Sequence, residues 1–495
     1  MLVWFLPLFL LLLLISLPVF FALLAAPGLL LWMDGQEKQL AVLYRNVYNG
    51  MDSFPLMALP FFMLAGELMN RGGITLRLVE FSQAMMGHLR GGLAHVNILS
   101  SILFAGLSGS AVADTSALGS TLIPAMEKNG YSRKFAAAIT AASSVIGPII
   151  PPSGIMIIYA YVMGESVAAL FLAGIVPGIL VGVGLMLMVR LLADRYDLPK
   201  AERIVRKGHS LGRVEDMLAR ILARINMIGA LWLLMLLVGL AVPAVHSLPV
   251  WLILLVFALV SEAIFYRQRQ RMDAELRIVC KRAVVPLQTP IIILGGILAG
   301  VFTPTEASVI AVAYALLISL LLLRSMSLRD LPAILTKSAL ASSTVLLLVG
   351  AAVAFKTVVS LSHAPEHMAD FILGLTDNPL VLLFLINILL FVVGMFLDAG
   401  PAIIILGPIL GPIFVDIGVH PVHFAIIMSV NLTVGLATPP MGLVLFVASS
   451  VSGERVETIS KAILPFLAVE VLVIFLITFV PALSLTVPRL TGFIQ

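Results

Sequence analysis

The sequence predicts an all-α polytopic membrane protein built from two inverted repeats, each carrying a re-entrant hairpin and a broken helix. Three observations lead there. Of 495 residues, 61% are hydrophobic and 11% charged, whereas soluble domains carry about one quarter charged residues, so the solvent for this fold is lipid. Glycines and prolines recur at a fixed offset in two stretches of the chain. Basic residues crowd the loops of one stretch and avoid the matching loops of the other.

The recurrence is specific. Gly106, Gly119, Pro124, Gly130, Gly147, Pro151, Pro152, Gly154 and Pro177 return as Gly394, Gly407, Pro412, Gly418, Gly435, Pro439, Pro440, Gly442 and Pro465, each pair 288 positions apart, as in 394 − 106 = 288. Chance gives about 1.5 such coincidences over windows of this size and composition. The duplication divides the chain into a first half, residues 1–193, a central segment, 194–285, and a second half, 286–495.

Apolar runs supply the membrane segments. Met1 to Met33, Asn226 to Pro243, Leu248 to Tyr266, Pro286 to Val301, Ala307 to Leu323 and Ala462 to Pro481 approach or exceed the roughly 20 residues a spanning helix needs, and about 12 to 16 segments are expected once hairpins are included. The first run is too long for a signal peptide and lacks a basic flank, so it reads as a retained helix. Asp194 to Arg224 and Arg267 to Arg282 are strongly basic and are expected on the cytoplasmic side. The two apolar runs between them then form a hairpin at 226–266, an insertion without a partner in the duplication.

Orientation follows from charge. Lys128, Arg133 and Lys134 flank Gly130, whereas the loop at Gly418 offers Asp416, His420 and His423; Arg71, Arg77 and Arg90 match a stretch from Val359 to Asn378 without Lys or Arg. Basic loops opposite nonbasic ones imply that the repeats face opposite ways across the membrane. Within each repeat the expected order is a hairpin with a Gly-rich tip (near 91–126 and 379–412), a short polar turn, a helix broken at Pro-Pro (near 133–164 and 421–451), then an unbroken helix.

These breaks carry the chemistry. Pro151 and Pro152 have no amide hydrogen and oppose a continuous helix, so carbonyls before them lose their usual donors; Pro439 and Pro440 do the same in the second repeat. Free carbonyls become hard oxygen ligands for a cation such as sodium. Ser108, Gly109 and Ser110 at one tip, and Gly394 with Asp398 at the other, add hydroxyl and carboxylate oxygens. Each tip is expected to meet its own break, near Gly147, Pro151 and Ser153 in one repeat and Gly435, Thr438 and Pro439 in the other, giving two related cation sites. Half-helix N-termini at the breaks direct positive dipole ends inward and suit an anion. Asp114, Asp398, Glu67, Glu306 and Lys356 are also compatible with helix ends that reach the interface, and Thr305 with Glu306 fits a helix start.

Other chemistries find little support. No GxxxxGK[ST] or HExxH pattern occurs, and the GxSxG match Gly208-His-Ser-Leu-Gly212 falls in the basic segment Asp194 to Arg224 and not at a strand-to-helix turn, so neither ATP hydrolysis nor another enzymatic activity is expected. Cys280 is the single cysteine, which excludes internal disulfides and cysteine metal clusters; His95, His363, His367, His420 and His423 read as packing or interfacial residues, and no transition metal or organic cofactor is expected. The net charge of +4 reports topology, and nucleic acid is not an expected partner.

The motifs Gly106-Leu-Ser-Gly-Ser-Ala-Val-Ala-Asp114, Ile146-Gly-Pro-Ile-Ile-Pro-Pro-Ser153, Phe302-Thr-Pro-Thr-Glu-Ala307, Gly394-Met-Phe-Leu-Asp398 and Gly435-Leu-Ala-Thr-Pro-Pro-Met-Gly442 together resemble the large membrane subunit of tripartite ATP-independent periplasmic (TRAP) transporters, the DctM-like permeases. That resemblance implies a multi-pass protein of the bacterial inner membrane with an elevator-type fold of the ion transporter superfamily. It implies sodium-coupled uptake of an organic acid such as a C4-dicarboxylate or sugar acid, with Na+ as the coupling ion. It also implies two partners, a soluble periplasmic binding protein and a small four-helix membrane subunit. Ser108, Gly109, Ser110, Pro151, Ser153, Gly394, Asp398, Thr438 and Pro439 carry over as sodium- or substrate-binding positions. The hairpin at 226–266 is longer than the usual link between repeats, and no small subunit is expected to be fused at the N-terminus. The alternative is a dicarboxylate-type carrier that needs no binding protein.

Overall fold

A computed structural model describes residues 4–33, 35–199, 211–239, 250–361, 368, 372, 374, 376 and 378–494. Among these residues no strand forms. The N-terminal apolar run, expected as one helix, is two: α1 (Phe5–Leu14) and α2 (Val19–Met33). Pro18 lacks an amide hydrogen and drives Leu17 out of the helical region, and Ser16 takes φ 65°, so the chain turns between them.

The first half continues with α3 (Glu37–Met51), α4 (Ala58–Arg71) and α5 (Ile74–Met86). A hairpin follows, α6 (Gly92–Ser108) and α7 (Ala111–Lys128), then the broken helix α8 (Arg133–Ser144) and α9 (Gly154–Met163), then α10 (Val167–Leu192), which stays continuous through Pro177.

The central segment forms α11 (Arg213–Gly239) and α12 (Val250–Arg271), which pack on each other as a hairpin. Residues 200–210 and 240–249 lie outside the described residues. Arg213, Arg220 and Arg224 were expected in a loop but sit on α11. Acidic residues in its first turn suit the positive end of the helix dipole, and they also tie α11 down. Glu215 pairs with Arg77 of α5, while Asp216 accepts from Lys281 at 2.5 Å and Arg220 at 2.7 Å.

The second half begins with α13 (Ala274–Leu298), α14 (Pro304–Leu317) and α15 (Leu331–Leu361). A capping box between Thr303 and Glu306 starts α14, so the Phe302-Thr-Pro-Thr-Glu sequence is a helix start with Thr303 as its cap. A second hairpin, α16 (Pro379–Phe396) and α17 (Ala399–Asp416), leads to the second broken helix, α18 (Pro421–Gly435) and α19 (Leu443–Ser452); α20 (Val456–Phe479) and α21 (Ala482–Leu490) close the chain. Helix starts in the two repeats keep the offset to within one residue: α7 and α17 give 399 − 111 = 288, and α9 and α19 give 443 − 154 = 289.

Among the described residues, seven helices are long and apolar enough to cross a bilayer, and five shorter apolar ones accompany them. The half-helices α9 and α19, ten residues each, reach about 15 Å, half the roughly 30 Å hydrocarbon core. Their broken ends therefore need protein around them, since an unpaired backbone group in lipid costs several kcal/mol.

The repeats supply that cover reciprocally. The half-helix α9 of the first repeat packs on α17 of the second, and α19 packs on α7. A Cβ on Gly119 would meet Val451 at 3.4 Å, and one on Gly407, its repeat partner, would meet the Met163 sulfur at 3.5 Å. Met163 and Val451 are themselves partners (451 − 163 = 288), so the duplicated glycines mark one contact used twice. Gly130 and Gly418 hold φ 88° and φ 93° in the turns that follow α7 and α17, a conformation glycine adopts without steric cost.

Polar side chains join helices inside each repeat. Asn97 of α6 donates to Thr140 at 2.6 Å and accepts from Ser143 at 3.2 Å on α8; in the other repeat Asn431 of α18 donates to Asn387 of α16 at 2.6 Å. Such buried bonds average about 0.6 kcal/mol each in membrane proteins. His423 joins this second group through Ser484 at 2.7 Å and the Thr478 carbonyl at 3.2 Å, and His420 caps α18. Both histidines thus have packing roles, while His363 and His367 lie outside the described residues.

Candidate cation sites at the hairpin tips

The first tip folds onto the break in its own repeat. Gly109 ends α6 with φ 62°, and a Cβ there would lie 2.8 Å from the Pro152 carbonyl oxygen and 3.5 Å from the Ser153 Cα. Only a residue without a side chain fits both the angle and the gap. Ser110 then caps α7, its Oγ accepting the Ala113 amide at 3.4 Å, and the Ser110 amide donates to Ser108 Oγ at 3.3 Å. Ser108 in turn donates to Asp114 Oδ1.

Asp114 is fully buried in the first turn of α7, where the helix dipole favours a negative charge. Its Oδ2 has no hydrogen-bond partner among the described residues and points at Gly147, where a Cβ would collide with it. Glycine at 147 therefore leaves a gap between the carboxylate and the broken backbone.

That backbone is rich in free oxygens. The Ile149 and Ile150 amides both donate to the Ile146 carbonyl at 3.0 Å. Ser153 caps α9, donating to the Pro148 carbonyl and accepting from the Met156 amide at 3.4 Å. Among the described residues no hydrogen bond reaches the carbonyls of Gly147, Ile149, Ile150, Pro151 or Pro152. The Asp114 oxygen lies against the backbone at Gly147, the Ile149 carbonyl packs on Gly174 of α10 and the Pro152 carbonyl on Gly109; a carboxylate and carbonyls without donors are the oxygen ligands that a hard cation uses.

The second tip also meets its own break, by a tighter contact. A Cβ on Gly435 would lie 2.6 Å from both Cα and C of Gly394, and one on Gly394 would lie 2.7 Å from the Leu432 carbonyl. Asp398 occupies the position of Ser110 (398 − 288 = 110) and caps α17, accepting the Ala399 amide at 2.8 Å. Thr438 is buried, its hydroxyl donating to the Val434 carbonyl at 2.9 Å and its own carbonyl accepting the Gly442 amide at 3.1 Å. Both Pro-Pro bonds, Pro151–Pro152 and Pro439–Pro440, are cis.

The two sites were expected to be alike, and they are not. Pro151, Pro152 and Ser153 are buried, whereas Pro439 is half-buried and Asp398, Pro440 and Met441 are exposed. The physical reason is register. Asp398 stands at a helix cap, where side chains turn outward to the first amides, while Asp114 stands one turn further in and faces the break; its repeat partner is Ala402. Asp114 is the residue that sequence reasoning left off the site, as compatible with a helix end at the interface. Its spacing four residues after the capping Ser110, on the buried side of a hairpin, was the available signal. Of the other charged residues read that way, Glu306 does serve a helix start, Glu67 pairs with Lys337 at 2.8 Å, and half-buried Lys356 donates to the Val162 carbonyl near the end of α9 at 2.6 Å.

Residues 6–483 match the family described as "Tripartite ATP-independent periplasmic transporter, DctM component". The chain belongs to this DctM family. The sialic acid TRAP transporter large permease protein SiaM of Vibrio cholerae is 34% identical over 449 residues, 90% of this chain and 89% of SiaM. The C4-dicarboxylate TRAP transporter large permease protein DctM of Pseudomonas aeruginosa is 33% identical over 464 residues, 94% of this chain and 92% of its own. Among solved structures, the Alcanivorax borkumensis YdaH transporter superposes with a TM-score of 0.54 at 16% identity, covering 91% of this chain and 89% of its own, a likeness of fold alone. This DctM protein is thus a large TRAP permease subunit, a multi-pass protein of the inner membrane, and its relatives are permeases and not enzymes.

Proposed function

We propose that this permease drives sodium-coupled uptake of an organic acid that a periplasmic binding protein delivers and that a small four-helix membrane subunit helps to admit. The observation that carries the reading is the first tip. Asp114 Oδ2, buried and without a donor among the described residues, faces the break at Gly147, where the carbonyls of Gly147, Ile149, Ile150, Pro151 and Pro152 also accept no donor among those residues. Na+ fits this set as cargo, because Ser108, Asp114 and the break supply oxygen alone. The second tip, with Gly394 against Gly435 and Asp398 at the cap, is the related but more open site.

Order is the link to transport. Sodium at a tip would hold hairpin and break together, and the half-helix ends beside them then present positive dipoles to a carboxylate. In the elevator reading, the hairpins and broken helices move as one body against α3, α4, α14 and α15. Relatives whose names specify sialic acid and C4-dicarboxylates support a carboxylate as the substrate class.

The test is uptake of radiolabelled N-acetylneuraminate and L-malate by proteoliposomes that hold the permease with its small subunit, with the binding protein outside. Uptake that follows an imposed inward sodium gradient and requires the binding protein is the expected result. Uptake indifferent to sodium would refute the coupling, and uptake without the binding protein would favour a stand-alone carrier.

A further inference from the structure

A second polar region lies away from both tips. A cavity of about 570 Å³ opens between α7 on one side and α4, α5 and α15 on the other, within the usual size range of small-molecule sites. Ser116, Ser120 and Thr121 of α7 put three hydroxyls on one wall, and the opposite wall carries Glu67 and Lys337, paired at 2.8 Å. Thr75 also lines the cavity; it is only 8% exposed, and its Oγ1 has no hydrogen-bond partner among the described residues.

The position specifies which face the cavity serves. α7 runs from the first tip at Ser110 to Lys128, and α4 ends at Arg71, beside Asp330. Basic residues gather at this end of both elements, which places it at the cytoplasmic surface. The cavity therefore leads from the first tip toward the cytoplasm.

Its chemistry specifies the occupant. Lys337 carries three donors on a flexible stem, and its side chain is 68% exposed while paired with Glu67, which is 24% exposed. An ammonium so open keeps donors for a second anion, and three hydroxyls across the cavity match the hydroxyl groups of a sugar acid or hydroxy acid. We propose that this cavity is the release site for a hydroxylated carboxylate, in which Lys337 exchanges Glu67 for the carboxylate of the substrate and Glu67 later displaces it. The proposal rests on the organic-acid reading above and deepens it.

The two members of the pair must then act in opposite senses. In the full complex carrying Cys280→Ser and Ser120→Cys, inside-out vesicles are labelled with 2-sulfonatoethyl methanethiosulfonate, an anionic thiol reagent. Lys337→Gln is expected to slow labelling about threefold and Glu67→Gln to speed it about threefold, as removal of one nearby unit charge in a wet cavity dictates. N-acetylneuraminate, L-malate or D-gluconate at millimolar concentration should protect Cys at position 120, protection that Lys337→Gln removes and Glu67→Gln strengthens. Equal effects of the two variants, as a purely structural ion pair would give, overturn the proposal, as does a lack of protection by all three acids. Loss of sodium dependence in wild-type uptake would sink the coupling reading and leave this labelling pattern unchanged.

Discussion

Substituting Gly109 tests whether the first tip rests on the break. Gly109 and Gly164 both cap helices with positive φ, 62° and 80°, so alanine at either costs about 1–2 kcal/mol for the left-handed backbone. They differ in surroundings: a Cβ at Gly164 meets nothing within 4 Å, whereas one at Gly109 lies 2.8 Å from the Pro152 carbonyl oxygen. Ordinary contact begins near 3.4 Å, so Gly109→Ala must push the tip off the break by about 0.6 Å (3.4 − 2.8). Overpacking of this kind adds about 1–3 kcal/mol. It also displaces Ser108, and with it Asp114, from the carbonyls they face.

A shift of that size should weaken sodium binding about tenfold, which removes about 1.4 kcal/mol of the stabilisation that saturating sodium confers. Thermal unfolding of the purified complex across a sodium titration, with N-methylglucamine as the balancing cation, measures both quantities. Gly164→Ala is expected to lower the midpoint in all conditions yet keep the sodium-dependent rise. Gly109→Ala should lower it further and lose most of that rise. Identical behaviour of the two variants would refute the placement of tip on break.

Further outcomes follow from the same geometry. Asp114→Asn keeps the Ser108 contact and removes the charge, so sodium-driven uptake should fall at least tenfold while the unfolding midpoint without sodium holds or rises, because a buried charge is removed; unchanged sodium affinity in a flux assay would remove Asp114 from the site. Gly435→Ala places a Cβ 2.6 Å from the Gly394 backbone and is expected to destabilise by about 1–3 kcal/mol, whereas Gly400→Ala, with its nearest contact at 3.6 Å, should be tolerated; equal midpoints for the pair would contradict the packing of α16 on α18. Thr303→Ala removes the capping box of α14 and should cost about 1 kcal/mol without altering the sodium dependence of uptake, and a changed sodium dependence would give that segment a role beyond capping.

The repeat architecture was legible because its breaks are made by glycine and proline, whose backbone limits hold wherever they stand. Gly130 and Gly418, Gly119 and Gly407, and both Pro-Pro pairs each mark in sequence what they do in space. The split of α1 from α2 went unseen because hydrophobicity hides a turn, and Pro18, which breaks the run, looks in sequence like Pro27, which α2 accommodates. Arg213, Arg220 and Arg224 were read as loop because the ion pairs that hold α11 reach other helices: its Glu215 meets Arg77 of α5, its Asp216 meets Lys281 of α13 and its Arg224 meets Glu262 of α12. The same limit applies to the sites. Residue types at the tips were visible, but that Asp114 faces inward and Asp398 outward depends on a four-residue difference in helix register, and Glu67 meets Lys337 across 270 positions, a pairing with no local signature.

The central claim is that the first tip and its break bind sodium through Asp114. Equilibrium binding of radioactive sodium to the purified complex tests it most directly, comparing wild type with Asp114→Asn and with Asp398→Asn. The account predicts that Asp114→Asn removes a tight component of binding while Asp398→Asn affects only the weaker remainder. Wild-type binding retained in full by Asp114→Asn would contradict it.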